Sequence, residues 1–148
     1  MFKRILVATD GSTLSEQAVA KAIDLSLLTD AELHAITVAH LEPHSYFEGS
    51  SVLSQRQIEE SHSRSVAAAQ ALVDAVKGIA LAKGVRRAEA VVAKSNQVAE
   101  SIVEFATNHD CDLIVMASHG RRGLTRLLMG SETLHVLTHS HTPVLVLR

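Results

Sequence analysis

Two glycines near the carboxyl end of the chain are spaced so that the backbone around them could hold an anion. Gly120 follows the strand-like run DLIVMAS, and nine residues later Gly130-Ser131 opens the helix-like stretch SETLHVLTH. Glycine lets the backbone approach a ligand closely, and a helix start offers unpaired N–H donors with a partial positive charge of about half an elementary unit. Ser131 and Thr133 add hydroxyl donors. The pattern predicts a phosphate site; the alternative is a surface turn followed by an ordinary helix start.

Three arginines lie between these glycines. Arg121, Arg122 and Arg126 could donate charge-assisted hydrogen bonds to phosphate oxygens, whereas charged loop residues commonly stay in solvent. Neither GxxxxGK followed by Ser or Thr nor GxGxxG occurs in the chain, which excludes a P-loop and the Rossmann dinucleotide fingerprint. An anion site here must therefore be of another kind.

Histidine and serine residues suggest two further functions, metal binding and nucleophilic catalysis. His135 and His139 stand at i, i+4 on the last predicted helix with His141 beyond, a spacing that permits two metal ligands on one face. No cysteine or carboxylate stands nearby to complete a tetrahedron, so we favour surface and helix C-terminal roles over a zinc site. Ser118 and His119 could pair a nucleophile with a base, but neighbours at a strand end normally point apart, so we predict no catalytic residue.

The elements that must position these residues alternate between strand and helix along the whole chain. Apolar runs without a polar face are typical of parallel strands that helices cover on both sides. The predicted strands are Ile5–Ala8, Leu33–Ala39, Arg87–Val92, DLIVMAS and PVLVL. The predicted helices run from Thr13 to about Thr29, from Ser54 to about Gly84, from Asn96 through Ala106 and across SETLHVLTH, with capping signals at Thr13, Ser54 and Asn96. We therefore predict an α/β, Rossmann-like fold: an open five-stranded parallel sheet with helices on both faces, in one domain spanning residues 1–148.

In such sheets a ligand lies beyond the carboxyl ends of the strands, where the strand order reverses. This rule indicates three places, which are Ala8-Thr9-Asp10, Val38-Ala39 and the run from Met116 to Gly120. Asp10 is an acceptor suited to a nucleoside, and a simple turn residue is the alternative. The run from His40 to Ser54 shows neither the periodicity of a helix nor that of a strand, and its length suggests a lid.

The composition argues against several classes of partner. The 148 residues are 47% hydrophobic, with a formal net charge of -2 and a pI near 6.5, so nothing attracts nucleic acid or an anionic membrane. No apolar run approaches the roughly 20 residues needed to span a bilayer, and the first residues do not resemble a secretion signal. The single cysteine, Cys111, can form no internal disulfide and is expected to be a small buried hydrophobe. We predict a cytoplasmic protein with no nucleic-acid or membrane partner.

Three blocks of the sequence carry a resemblance to a known family. ILVATDGS, DLIVMASHGRRGLTRLLMGS and HVLTHSHTPVLVLR, in this order, resemble the universal stress protein family over essentially the whole chain. The nucleotide-binding members of that family have a glycine, two residues, a glycine, nine residues, and a glycine followed by Ser or Thr. Gly120, Gly130 and Ser131 match this pattern, whereas the first position is Ala117. Alanine there costs one methyl group of room if its φ is negative, and about 1 kcal/mol or more if its φ is positive.

The resemblance implies an ATP site. It implies that the adenine end lies against Ala8, Thr9, Asp10 and Val38. It implies that the ribose and phosphates lie against Met116, Ala117, Gly120, Arg121, Gly130, Ser131, Glu132 and Thr133. A divalent cation, Mg²⁺ or Mn²⁺, can accompany the phosphates. Because family members that bind ATP are at most slow hydrolases, the nucleotide is expected to act mainly as a ligand.

Three functions remain open at this point. The leading one is an ATP-binding, homodimeric stress-response regulator. The second is a dimeric interaction protein without nucleotide binding, which Ala117 favours and the intact Gly130-Ser131 opposes; the third is a slow ATPase or another small-molecule enzyme on the same scaffold. An apolar strand late in the chain tends to lie at a sheet edge, where its unpaired N–H and C=O groups can meet a second copy. The resemblance also implies dimerisation through this strand, whose interface residues would be Val144, Leu145, Val146 and Leu147.

Overall fold

Strands and helices alternate throughout the residues that the structure describes. The computed structural model describes residues 1–41, 55–120 and 129–148. The elements in chain order are β1 (Arg4–Ala8), α1 (Thr13–Thr29), β2 (Glu32–Ala39), α2 (Gln55–Ala82), β3 (Ala88–Lys94), α3 (Val98–Asn108), β4 (Leu113–Ala117), α4 (Ser131–His139) and β5 (Val144–Leu147). The predicted strands and helices are confirmed to within a few residues at each end.

All five strands are parallel, in the order β3-β2-β1-β4-β5. The chain adds β2 and β3 on one side of β1 and then returns to add β4 and β5 on the other. The strand order therefore reverses between β1 and β4, where Val7 is paired with Val115. This confirms the predicted fold class and locates the crevice in which open α/β sheets bind ligands.

Two apolar layers cover the two faces of the sheet, because successive side chains of a strand point to opposite faces. On one face, α1 and α2 pack on Ile5 and Val7 of β1 and on Val115 of β4. On the other face, α3 and α4 pack on Leu6 and Ile114. Each fully buried aliphatic side chain of this kind contributes roughly 1.5–3 kcal/mol. The continuous apolar runs of β1 and β4 are thus explained by burial on both faces.

Two of the predicted helix caps are wrong. The N-cap of α1 is Ser12, not Thr13, and its hydroxyl accepts a hydrogen bond from the backbone N–H of Ser15 at 3.2 Å. Asn96 does not cap α3; its side-chain oxygen accepts from the backbone N–H of Leu41 at 2.8 Å. In both places several cap-forming side chains follow one another, so that sequence spacing alone cannot choose between them. The third predicted cap, Ser54, lies outside the described residues.

Helix α2 is, within the described part of the chain, the one helix long and apolar enough to cross a bilayer by length and composition. Core helices of soluble proteins commonly have the same length and composition, so these two properties do not identify a membrane span. Val73, Val76 and Ala80 of α2 pack against the sheet. The predicted absence of a membrane partner stays a prediction, and the predicted lid lies, apart from His40 and Leu41, outside the described residues.

Cys111 is buried beside the start of β4 and is a free thiol. Burial raises the pKa of this thiol to about 11. At neutral pH it is therefore protonated and a poor nucleophile. This confirms the expected role of Cys111 as a small buried hydrophobe, whereas the cytoplasmic location stays a prediction.

Candidate functional site

The carboxyl ends of β1 and β4 lie side by side at the edge where the strand order reverses. Ala8, Thr9 and Asp10 leave β1 here, and Ala117 and Ser118 leave β4. The backbone N–H of Thr9 still donates to Ile36 of β2 at 3.0 Å, so the β1 end is held in the sheet. Val38 lies near the end of β2 and is partly exposed. The structure thus brings together the three places that the sequence indicated.

Three side-chain hydrogen bonds of ordinary length hold the turn after β1. Thr9 Oγ1 lies 3.0 Å from Ser15 Oγ and accepts from the backbone N–H of Gly11 at 3.2 Å. Asp10 Oδ1 accepts from the backbone N–H of Ser12 at 2.9 Å. Gly11 has φ 77, a left-handed conformation that glycine adopts without steric cost. The carboxylate of Asp10 is consequently presented at the site edge by a preformed turn.

Gly120 lies against the carboxylate of Asp10. A Cβ built on Gly120 would overlap with Asp10 Oδ2, the end of a flexible side chain that can move aside. The φ of Gly120 is not in the left-handed range, so the backbone conformation does not demand glycine at this position. The segments after β1 and β4 therefore meet directly across the crevice.

Helix α4 begins at the same place. Its N-cap is Gly130, with φ -62 and ψ 150, and no side chain in the described part of the chain caps the helix. The backbone N–H of Gly130 donates to the carbonyl of Ser118 at 2.8 Å, which ties the helix start to the end of β4. A Cβ on Gly130 would lie 3.3 Å from the same carbonyl oxygen, so the approach is tight. Among the described residues, no side-chain cap satisfies the N–H groups in the first turn of α4, whose N-cap lies against His119, the residue before Gly120.

A family model described as the universal stress protein family matches residues 1–148. The chain belongs to this family. A universal stress protein of Methanocaldococcus jannaschii is 35% identical over 150 residues, covering 100% of this chain and 83% of that protein. The universal stress protein YxiE of Bacillus subtilis is 31% identical over 150 residues, with 100% of both chains covered.

Solved universal stress proteins share the fold. UspA of Lactobacillus plantarum has a TM-score of 0.85 at 21% identity, covering 99% of this chain and 98% of that one. A universal stress protein in complex with cAMP has a TM-score of 0.69 at 23% identity, covering 99% and 97% of the two chains. The universal stress protein of Archaeoglobus fulgidus in complex with dAMP has a TM-score of 0.65 at 18% identity, covering 99% and 98%. At these identities the likeness shows the fold.

Ala117 departs from the glycine of the nucleotide-binding universal stress protein pattern, but it does so without strain. It lies inside β4, opposite Leu147 of β5, and is not among the described residues with positive φ. Its carbonyl accepts a hydrogen bond from Thr133 Oγ1 at 2.9 Å. The sequence left open whether the φ of Ala117 is negative or positive. Because φ is not positive, alanine at this position adds only a methyl group.

Two of the predicted site residues turn their side chains into the protein. The Thr133 hydroxyl is buried and donates to Ala117, so the expectation that it offers a hydroxyl donor to the ligand is wrong. Met116 packs in the core layer under α3 and α4. Ser131 is exposed at the start of α4, where its hydroxyl faces solvent. Thr133 and Met116 can therefore contribute to a site only through their backbone.

Glu132 makes a contact that the sequence did not indicate. Its Oε2 accepts from the backbone N–H of Ala99 at 2.9 Å, in the first turn of α3. The N-cap position of α3, Gln97, provides no side-chain cap of its own. The carboxylate of Glu132 thus caps α3, and what Glu132 can offer a ligand at α4 is its backbone N–H.

The expectation that Ser118 and His119 point apart is wrong. Ser118 Oγ lies 3.1 Å from His119 Nδ1. Both residues follow Ala117, the last residue of β4, so the regular alternation of a strand no longer separates their side chains. That neither residue is catalytic stays a prediction.

The other histidines and the arginines for which the sequence predicted a role lie away from this crevice or outside the described residues. His135 Nε2 lies 3.4 Å from Glu100 Oε1, and the rings of His135 and His139 are 4.1 Å apart. His139 Nδ1 lies 2.9 Å from Thr138 Oγ1. In the described ranges no three His, Cys, Asp or Glu side chains are placed to hold a metal ion. The segment 121–128, with Arg121, Arg122 and Arg126, lies outside the described residues.

Proposed function

We propose that this chain binds an adenine nucleotide, ATP in the first place, in the crevice between the ends of β1 and β4. The observation that carries the proposal is the N-terminus of α4, which starts on Gly130 without a side-chain cap from the described residues and lies against His119, the residue before Gly120. A phosphate chain supplies the acceptors that such N–H groups lack. Two structural neighbours, solved in complex with cAMP and with dAMP, bind nucleotides with adenine on the same fold.

The two ends of the nucleotide are assigned to different elements. The adenine end lies against Ala8, Thr9, Asp10 and Val38, because these residues border the crevice on the β1 and β2 side. The phosphates lie at Gly120, Gly130 and Ser131 and at the backbone of Met116, Ala117, Glu132 and Thr133, with Arg121 as a further contact. Asp10 accepts a hydrogen bond from the nucleoside.

The nucleotide acts mainly as a ligand that changes the conformation or the partner of a stress-response regulator. A ligand shifts such an equilibrium by the difference in its affinity for the two states. A divalent cation at this site, Mg²⁺ or Mn²⁺, would take most of its ligands from the phosphates and water, because the described residues contain no cluster of three metal-ligating side chains. Hydrolysis, if present, is slow.

Thermal unfolding with and without magnesium ATP tests this proposal. ATP at about 100 times its dissociation constant stabilises the folded state by about 2.7 kcal/mol, which raises Tm by about 5–10 °C. Magnesium tripolyphosphate is the control for the charge of the phosphates. Magnesium GTP is the control for the identity of the base. Because the chain has no Trp and one Tyr, nucleotide retained on purification would dominate its ultraviolet spectrum. No Tm increase at millimolar ATP, together with no retained nucleotide, contradicts the proposal.

We also propose that two copies associate through β5. This strand is an edge of the sheet, and the Leu145 side chain is 37% exposed. Val144 and Val146 pack on the layer under α3 and α4, and Leu147 packs on the opposite layer, so the backbone of β5 and Leu145 are the groups left for a partner. An apolar unpaired edge of this kind tends to pair with a second strand.

Sedimentation velocity at matched concentrations tests the association. Leu145→Asp should shift the protein from dimer to monomer, because it places a charge in the paired edge. Leu28→Asp is the matched control, since Leu28 is 82% exposed and belongs to α1 instead of the sheet edge. An unchanged sedimentation coefficient for Leu145→Asp contradicts pairing through β5.

A further inference from the structure

A buried histidine lies near the amino ends of the strands, at the opposite end of the sheet from the crevice. His34 is the third residue of β2, and its side chain lies on the same face of the sheet as Ile36, against which α3 packs. Neither ring nitrogen of His34 has a hydrogen-bond partner among the described residues. Since buried polar side chains are nearly always hydrogen-bonded, this ring is an exception that calls for a physical reason.

The ring of His34 lies against the end of α3. Its centroid is 5.7 Å from that of Phe105 and 6.3 Å from that of His109. The rings of Phe105 and His109 are stacked on each other, with centroids 3.8 Å apart. From β1, Arg4 Nη1 donates a hydrogen bond to the carbonyl of His109. Residues 105–109, which we call the last turn of α3, are therefore held to the sheet at this place by one ring and one guanidinium group.

The charged and titratable groups that face His34 come from every element packed against it. They are Arg4 of β1, Glu32 of β2, Glu89 of β3 and His109 at the end of α3. Glu32 Oε2 lies 4.0 Å from His34 Nε2 and 3.2 Å from Arg4 Nε, so the histidine and the arginine share one carboxylate oxygen. Both carboxylates also pair with Arg87, at 3.5 Å for Glu32 and 3.6 Å for Glu89.

These surroundings favour the neutral ring. Burial lowers the pKa of His34 below its ordinary value of about 6.5, and the positive charge of Arg4 lowers it further. Once His34 is protonated, the nearest acceptor is Glu32 Oε2. A charge-assisted hydrogen bond is about 2.7–2.9 Å long, so the ring must shift by about 1 Å to form it. The shifted ring loses its packing on Phe105 and competes with Arg4 for the shared oxygen.

A groove of about 390 Å³ borders the last turn of α3. Phe105, Asn108 and His109 line it from the helix, and Ile36 and Ala93 line it from the sheet. The middle of α3 is fixed independently, because Ile102 and Ala106 are buried in the core layer on this face. The last turn can therefore move into the groove, and admit water to His34, while the rest of the helix stays in place.

We propose that His34 is a proton sensor, whose protonation releases the last turn of α3 from the sheet. In the released state the ring reaches water and regains its ordinary pKa. The ratio of released to held molecules then rises by up to tenfold per pH unit as the pH falls below about 6.5, until the held form also takes up the proton. The signal is acidification of the solution. This inference does not rest on the nucleotide site, which lies at the other end of the strands.

Hydrogen exchange of the full chain at about pH 7.5 and about pH 5 tests the inference. Each rate in wild type is divided by the rate of the same amide in His34→Leu at the same pH, so that the pH dependence of exchange itself cancels. For the last turn of α3, including the His109 N–H that donates to Phe105 at 3.1 Å, this ratio should be about tenfold higher at the lower pH. For α1, on the other face of the sheet, the ratio should not change with pH. His141→Leu, the same substitution at an exposed histidine, is the matched control and should exchange like wild type.

An NMR titration of wild type provides a second measurement that needs no variant. The imidazole of His34 should titrate below about pH 6.5, with the same midpoint as the amide shifts of residues 105–109. Coincident midpoints support the inference even if His34→Leu does not fold, and separate midpoints overturn it. Equal exchange ratios at the two pH values also overturn it. A ratio that rises equally in α1 and in the last turn of α3 overturns it as well, because the protein then opens as a whole.

Discussion

Helices α1 and α4 both begin at the edge of the sheet where β1 and β4 end, but their first turns are completed differently. Ser12 precedes α1 with φ -70 and ψ 157, and Gly130 precedes α4 with φ -62 and ψ 150. The backbone at the two N-caps is thus nearly the same. The difference is the side chain: the Ser12 hydroxyl accepts from Ser15, whereas Gly130 has no side chain to offer.

Helix α3 is intermediate, because its first turn is capped from outside by Glu132 of α4. A helix whose first-turn N–H groups already donate to an acceptor within the protein is stabilised less by a bound anion. A helix without such an acceptor must find one in water or in a ligand. Of these three helix starts, α4 is therefore the one that suits a phosphate group. The comparison also shows that the carboxylate of Glu132, in the first turn of α4, is bound to a neighbouring helix.

The largest expected effect comes from making α4 resemble α1. Gly130→Asp provides a side-chain cap whose carboxylate competes for the N–H groups of the first turn and repels phosphate. We expect ATP affinity to fall by about 100-fold or more, measured by calorimetric titration. Gly130→Ala is the steric control, because it adds the Cβ without an acceptor. ATP binding by Gly130→Asp at wild-type strength would show that the phosphates do not lie at α4.

A smaller effect is expected at α1, on stability. Ser12→Ala should lower the free energy of unfolding by about 1 kcal/mol and Tm by about 2–4 °C, because the N–H of Ser15 loses its acceptor. Thr13→Ala, one residue further, is the matched control and should change stability far less. Equal losses in the two variants, measured by chemical denaturation, would contradict the assignment of Ser12 as the cap.

The smallest effect is expected at the α3 cap. Glu132→Gln keeps an acceptor for the N–H of Ala99 but removes the charge, which should cost about 0.3–1 kcal/mol of stability. Its ATP affinity should be equal to that of wild type or slightly higher, because a negative charge near the phosphates is lost. Glu104→Gln, on the exposed side of α3, is the control. A strong loss of ATP affinity in Glu132→Gln would make its carboxylate a nucleotide contact after all.

Much of the site could be located from sequence because its positions follow from the strands. Once β1 and β4 are recognised as buried strands, the residues after Ala8 and after Ala117 must reach the carboxyl edge of a parallel sheet. Which side chains face the crevice could not be predicted in the same way. Thr133 was expected to offer its hydroxyl to a ligand, but its partner is the carbonyl of Ala117, 16 residues away.

By itself the sequence determined the alternation of strands and helices, the parallel sheet and the family, because apolar periodicity and short motifs are local properties of the chain. Only the tertiary structure decided that Ala117 is free of strain, that Glu132 caps α3, and that the Thr133 hydroxyl is bound to Ala117. The physical reason is that a hydrogen bond depends on a distance and an angle between particular atoms. Those are set when strands and helices pack, not by the spacing of residues along the chain.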